Sequence, residues 1–321
     1  MKKRMLIMCT LALAMLTSCG NSSSSSSKAD ETSKAESSSA AEESSSTADS
    51  AAEGSSSAAE SETEITELSD DETDATDVTS DTDRETIYQV SLLQGLTLGD
   101  YYGSVSVKDL KEKGDTGIGT FEGVNGELIM VDGNVYRATS DGSVEEAPDD
   151  ETIPFSNVTF FDADETEDIS GISSIADVKK LLDEKVEKLG KNQFYMVRID
   201  GKFKKMHARS ELKQELPYKP LAEALATDQR EFSWDDIEGT VVALYCPQYM
   251  EDLNAVGWHL HFISEDKKLG GHVLDLEVDT AKLKIDATQG FNMQLPDTEM
   301  FPTLDLTIDQ SDDIKKVETK D

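Results

Sequence analysis

Alternation between apolar and polar positions is sharpest in Gly257-Trp258-His259-Leu260-His261-Phe262-Ile263. Side chains along a strand point to opposite faces in turn, so Trp258, Leu260 and Phe262 share one face while His259 and His261 share the other. Residues 264–269 are polar and end at Gly270-Gly271, which predicts a loop returning the chain to a second strand that begins near His272. Asn125-Gly126 and Asp132-Gly133 are turn dipeptides and predict a meander of strands over residues 117–136. Asp200-Gly201 predicts a further hairpin turn between residues 193–199 and 202–210. Helical spacing is clear once. Ile175, Val178, Leu181, Leu182, Val186 and Leu189 recur at helical intervals, Ser174 and Asp177 suggest a capping box, and Gly190 supplies the stop. A shorter helix is expected from about Ser106 to Gly114.

The first residues read differently. Lys2, Lys3 and Arg4 precede an apolar stretch, residues 5–16, which falls short of the roughly 20 residues a spanning helix needs. It ends in Leu16-Thr17-Ser18-Cys19-Gly20, which resembles the lipobox of bacterial lipoproteins. That resemblance implies a signal peptide over residues 1–19, a lipid on Cys19, and an extracytoplasmic protein anchored to the membrane rather than spanning it. Residues 20–84 carry 18 acidic and 3 basic residues, with serine runs such as 22–27 and no aromatic residue. Such a stretch cannot bury enough apolar surface to offset chain entropy, so a disordered, self-repelling tether is expected.

Residues 85–321 hold about 237 positions, enough for one large or two modest cores. They keep −24 of the chain's net −36, which argues against nucleic acid as a partner and means that an anionic substrate needs a local cation. Of the three cysteines, only Cys246 lies beyond the signal region, so no intramolecular disulfide forms in the mature globular part. It follows an apolar run and reads as a small buried residue.

Three of the four histidines fall in the predicted hairpin: His259, His261 and His272. Antiparallel pairing brings their imidazoles together. Three converging imidazoles make a site for a divalent metal, zinc by ligand type, with a position left open for substrate or water. The spacing does not name the reaction. A zinc hydrolase and a metal-binding, cupin-like lipoprotein are both compatible with it. By pattern alone, Glu127 is a charged strand end facing water and Arg209 a surface residue.

The segments Gly117-Ile118-Gly119-Thr120-Phe121, Gly126-Glu127-Leu128 and Ala208-Arg209-Ser210, with the histidine hairpin, resemble the bacterial alpha-acetolactate decarboxylases in order along residues 85–321. The resemblance implies zinc on His259, His261 and His272, active-site roles for Glu127 and Arg209, and Thr120 beside the pocket. It also implies a C-terminal tail folded over the metal, with Glu318 reaching the site. The activity it implies is decarboxylation of 2-acetolactate to acetoin and carbon dioxide through a zinc-stabilised enediolate. The fold it implies is of the α/β (α+β) type, two mixed sheets with few helices and the zinc between them, commonly a homodimer. Residues 217–220 are the expected joint between the two sheet subdomains.

Overall fold

The computed structural model describes residues 84–318; the expected signal peptide, Cys19 and almost all of the expected tether lie outside the described residues, as do the side chains of Asp312, Lys316 and Glu318. The chain begins with β1 (Thr86–Val90), helix α1 (Leu93–Thr97), β2 (Val105–Ser106), α2 (Val107–Lys111) and β3 (Thr116–Thr120). Next come β4 (Glu127–Val131), β5 (Asn134–Ala138), β6 (Val144–Glu146), β7 (Thr152–Ile153) and β8 (Phe155–Thr159). Then follow β9 (Glu165–Ile172), α3 (Ile175–Leu189), β10 (Phe194–Glu211), α4 (Leu221–Asp228) and β11 (Gln229–Cys246). The last elements are β12 (Gly257–Ser264), β13 (Gly270–Thr288), β14 (Gly290–Gln294) and α5 (Ser311–Glu318).

Two large sheets result. The first has seven strands in the order β14-β1-β8-β3-β4-β5-β6 and is mixed, because β1 and β14 run parallel. The second has the order β10-β11-β12-β13-β9 and pairs antiparallel throughout. Strand β10 also pairs with β13, so β10 to β13 close into a ring. The small pair β2–β7 stands apart. The changeover between the sheets falls at residues 160–164, and the chain returns to the first sheet at Gly290. The expected joint at 217–220 is thereby corrected: those residues connect β10 to β11 within one sheet. Two prolines broke the pattern there, but they mark a loop before α4 and not a subdomain boundary.

Local chemistry explains most elements. Ser174 Oγ accepts the Asp177 N–H at 3.1 Å, and α3 stops at Gly190, whose φ of 127° lies in the region that favours glycine. Val178, Leu182 and Val186 are buried against the second sheet. Asp132 and Gly133 both take positive φ, 52° and 77°, which is the twisted two-residue turn that their sequence predicts between β4 and β5. Asp200-Gly201 is a correction. Strand β10 runs straight through it, paired on both sides. Gly201 is needed there for close approach: a Cβ would sit 2.3 Å from the Thr280 carbonyl oxygen of β13. Cys246 is buried, as its apolar surroundings predict.

The sheets meet through one apolar layer. Ile87, Ile118, Ile129 and Val131 from the first pack with Phe194, Met196, Val242, Leu244 and Ile263 from the second. This layer brings the start of β4 against the histidine hairpin. A smaller cluster gathers α1, α4 and α5 through Leu93, Leu96, Leu221, Ile314 and Val317.

Candidate metal centre and cleft

The histidines converge because of register. In the β12–β13 hairpin His261 faces His272 directly, and His259 lies two residues back on the same face of β12. Nε2 of His259 lies 3.0 Å from Nε2 of His261 and 3.1 Å from Nδ1 of His272. Three nitrogens shared by one zinc at about 2.0–2.1 Å would stand roughly 3.3 Å apart in tetrahedral geometry, so this spacing suits a common ion. His261 Nδ1 donates to the Leu128 carbonyl at 2.9 Å across the sheet interface. That bond fixes the tautomer and leaves Nε2 as a lone-pair atom turned toward the other two rings, the arrangement that orients a metal-binding imidazole. Among the described residues, these three form the cluster that can hold a metal ion.

Electrostatics agrees. Burial, then the Arg209 guanidinium and Lys179, push His259 down to about 3. Burial first, with Arg209 and the neighbouring imidazoles, holds His261 and His272 well below the ordinary histidine range. All three are therefore neutral at pH 7, the state that ligation requires.

The other expected residues are held nearby by the strands. Glu127 opens β4, opposite Thr120 on β3. It is 7 % exposed, and its Oε2 lies 3.4 Å from His261 Nε2. A carboxylate oxygen facing an imidazole lone pair is repulsive unless a proton or a cation intervenes, so this pair itself calls for one. The Thr120 hydroxyl donates to the Gly126 carbonyl at 2.8 Å, which ties the β3–β4 turn to the cleft wall. Arg209, 6 % exposed, stands opposite His272 in the β10–β13 register. Its Nη1 donates to Gln229 Oε1 at 2.8 Å, and its Nη2 donates to the Val317 carbonyl. Val317 lies in the last turn of α5, where helix carbonyls lack intrahelical donors, so the guanidinium caps the C-terminal helix. The Glu318 backbone closes that helix, while its side chain is outside the described residues.

These groups surround one cleft, partly open to solvent, with a cavity volume of about 50 Å³. His259, His272, Glu127, Arg209 and Thr120 line its polar side. Leu93, Leu96, Leu221, Leu225 and Val317 supply an apolar wall from α1, α4 and α5. Glu211 lines it as well, with Oε1 3.7 Å from Arg209 Nε. Neither Glu211 nor the α4 leucines emerged from the sequence pattern. The signal for Glu211 was its shared parity with Arg209 on one strand. His207, the fourth histidine, is not in the cluster; its Nε2 lies 2.9 Å from Glu231 Oε2.

Comparison with known proteins follows the same lines. A family description, Alpha-acetolactate decarboxylase, matches residues 87–308. The chain is 40 % identical over 234 residues to the alpha-acetolactate decarboxylase of Methanosarcina mazei, covering 73 % of this chain and 80 % of that one. It is 39 % identical over 224 residues to the enzyme of Brevibacillus brevis, covering 70 % and 78 %. The crystal structure of alpha-acetolactate decarboxylase from Bacillus subtilis superposes with a TM-score of 0.70 at 36 % identity, over 73 % of this chain and all of that one. With fold and sequence matched over most of the described length, the chain belongs to the alpha-acetolactate decarboxylase family.

Proposed function

We propose that the protein is a zinc-dependent carboxy-lyase that converts 2-acetolactate to acetoin and carbon dioxide. The observation that carries this reading is a cluster of three imidazoles, two of them on the wall of a cleft that a buried arginine and a buried glutamate also line. His259, His261 and His272 would hold the ion, which supplies Lewis-acid stabilisation of the charge that loss of carbon dioxide leaves beside the ketone. Arg209 binds the carboxylate through charge-assisted hydrogen bonds and is the local cation that an acidic domain needs. The apolar wall from α1, α4 and α5 faces the alkyl groups and limits water at the reacting carbon. Glu127 and Glu318 are the two candidate donors of the single proton that the enediolate carbon takes up to complete the product, and Thr120 lines the pocket.

The same reading places residues 1–19 as a signal peptide, Cys19 as the lipid-bearing residue, 20–84 as a tether and 85–321 as the catalytic part. The enzyme is then held outside the cytoplasm on the bacterial membrane and works as a homodimer. Tyr195, Trp258 and the rest of the strand core are left to structure.

The full chain, loaded with zinc, should release acetoin from 2-acetolactate and leave simple esters intact. Glu318→Gln should retain zinc and the unfolding temperature but lose most of the acetoin formation, because the amide cannot transfer a proton. Ester hydrolysis without acetoin would favour a zinc hydrolase, which could use the same three histidines to activate water.

A further inference from the structure

Arg209 can recognise a carboxylate with two parallel bonds only if its planar guanidinium is held at one rotation. A long side chain left loose would have to be ordered anew by each substrate. Two partners provide the hold: the Val317 carbonyl at Nη2 and Gln229 at Nη1, of which Gln229 is the side chain that can be varied. It is the first residue of β11, directly after α4, and its Oε1 accepts from Arg209 Nη1 at 2.8 Å. Its own Nε2 donates to Glu231 Oε1 at 3.4 Å, and Glu231 Oε2 lies 2.9 Å from His207 Nε2. Arg209, Gln229, Glu231 and His207 thus form a chain from the cleft wall outward along neighbouring strands β10 and β11.

We propose that Gln229 is a positioning residue, which sets the rotation of the Arg209 guanidinium for the substrate carboxylate. This inference rests on the decarboxylase reading above. The choice of an amide has a physical reason. An amide between a cation and a carboxylate has one favourable orientation, oxygen toward Arg209 and NH2 toward Glu231. It holds the arginine without cancelling its charge. A carboxylate at the same place would add a negative group to a cleft that already contains Glu127 and Glu211, and would face Glu231 as a like charge.

The test uses the full zinc-loaded chain with Gln229→Met, which keeps length and apolar bulk but removes both amide groups. KM for 2-acetolactate should rise about tenfold, with kcat falling less than about threefold. Zinc content and unfolding temperature should stay at wild-type values. Inhibition by acetoin, which has no carboxylate, should not change. Gln229→Glu keeps an acceptor for Arg209, so it should hold the guanidinium but also raise KM, through the added charge. An unchanged KM in Gln229→Met would overturn the inference. So would a loss of acetoin inhibition in parallel with KM, which marks general damage to the cleft. A wild-type chain that forms no acetoin would overturn the proposed function itself, and that result is read before any variant is made.

Discussion

His259→Ala should remove the metal and lower acetoin formation by at least about 1,000-fold, roughly 4 kcal/mol of lost transition-state stabilisation. His259 is the most direct of the three to change, because it is partly exposed at the cleft while His261 and His272 are buried. Two imidazoles cannot hold zinc against solution chelators as three can. His261→Ala should lose the metal too, but it also leaves the buried Leu128 carbonyl without its donor, which costs about 1–3 kcal/mol of stability on its own. His207→Ala is the control. Its partner is Glu231, at the outer end of the chain that leads to Arg209, so zinc content and kcat should remain close to wild type and any effect should fall on KM. Elemental analysis together with the acetoin assay decides the matter: full zinc occupancy in His259→Ala would show that the hairpin is not the metal site.

Arg209→Lys should reduce kcat/KM by about 30-fold or more, on the order of 2 kcal/mol. Lysine keeps the charge but not the fork. In the wild type that fork reaches Gln229, the Val317 carbonyl and, more distantly, Glu211. One ammonium cannot satisfy these partners and a carboxylate together. The substitution therefore has a second expected effect. The last turn of α5 loses its cap, and amide exchange there should quicken while the strands of β10 and β13 stay protected. Unchanged kcat/KM would place the substrate carboxylate elsewhere in the cleft. Slower turnover with α5 exchange unchanged would assign Arg209 to substrate alone.

What could be read from the sequence was local. His259 and His261 share a face because strand side chains repeat every two residues, and the loop at 264–269 supplies the return that brings in His272. Helix α3 was legible from its spacing, its serine cap and its terminal glycine. Glu127 and Arg209 were not legible as site residues from pattern. Each is one charged residue in a strand; Glu127 is buried where β4 meets the histidine hairpin and Arg209 where α5 closes on β10, contacts that only the fold creates, and resemblance to known decarboxylases singled them out. Asp200-Gly201 shows how a local rule can mislead. The dipeptide favours a turn, yet here the glycine serves the approach of two long strands, and tertiary pairing decides. Gln229, Glu211, Leu221 and Leu225 were invisible for a related reason. They act through position around Arg209 and the cleft; only Glu211 carries a local mark, its shared parity with Arg209 on β10, and that mark means nothing until Arg209 is known to matter.

The central claim is that one zinc ion on three histidines carries decarboxylation of 2-acetolactate. It is tested most directly by stripping the full chain of metal with a chelator, then adding zinc in measured steps while acetoin formation is followed. The account predicts negligible acetoin from the stripped protein, a linear rise to about one zinc per chain, and no further gain beyond it. Full activity in metal-free protein, or no acetoin at one bound zinc, would contradict it.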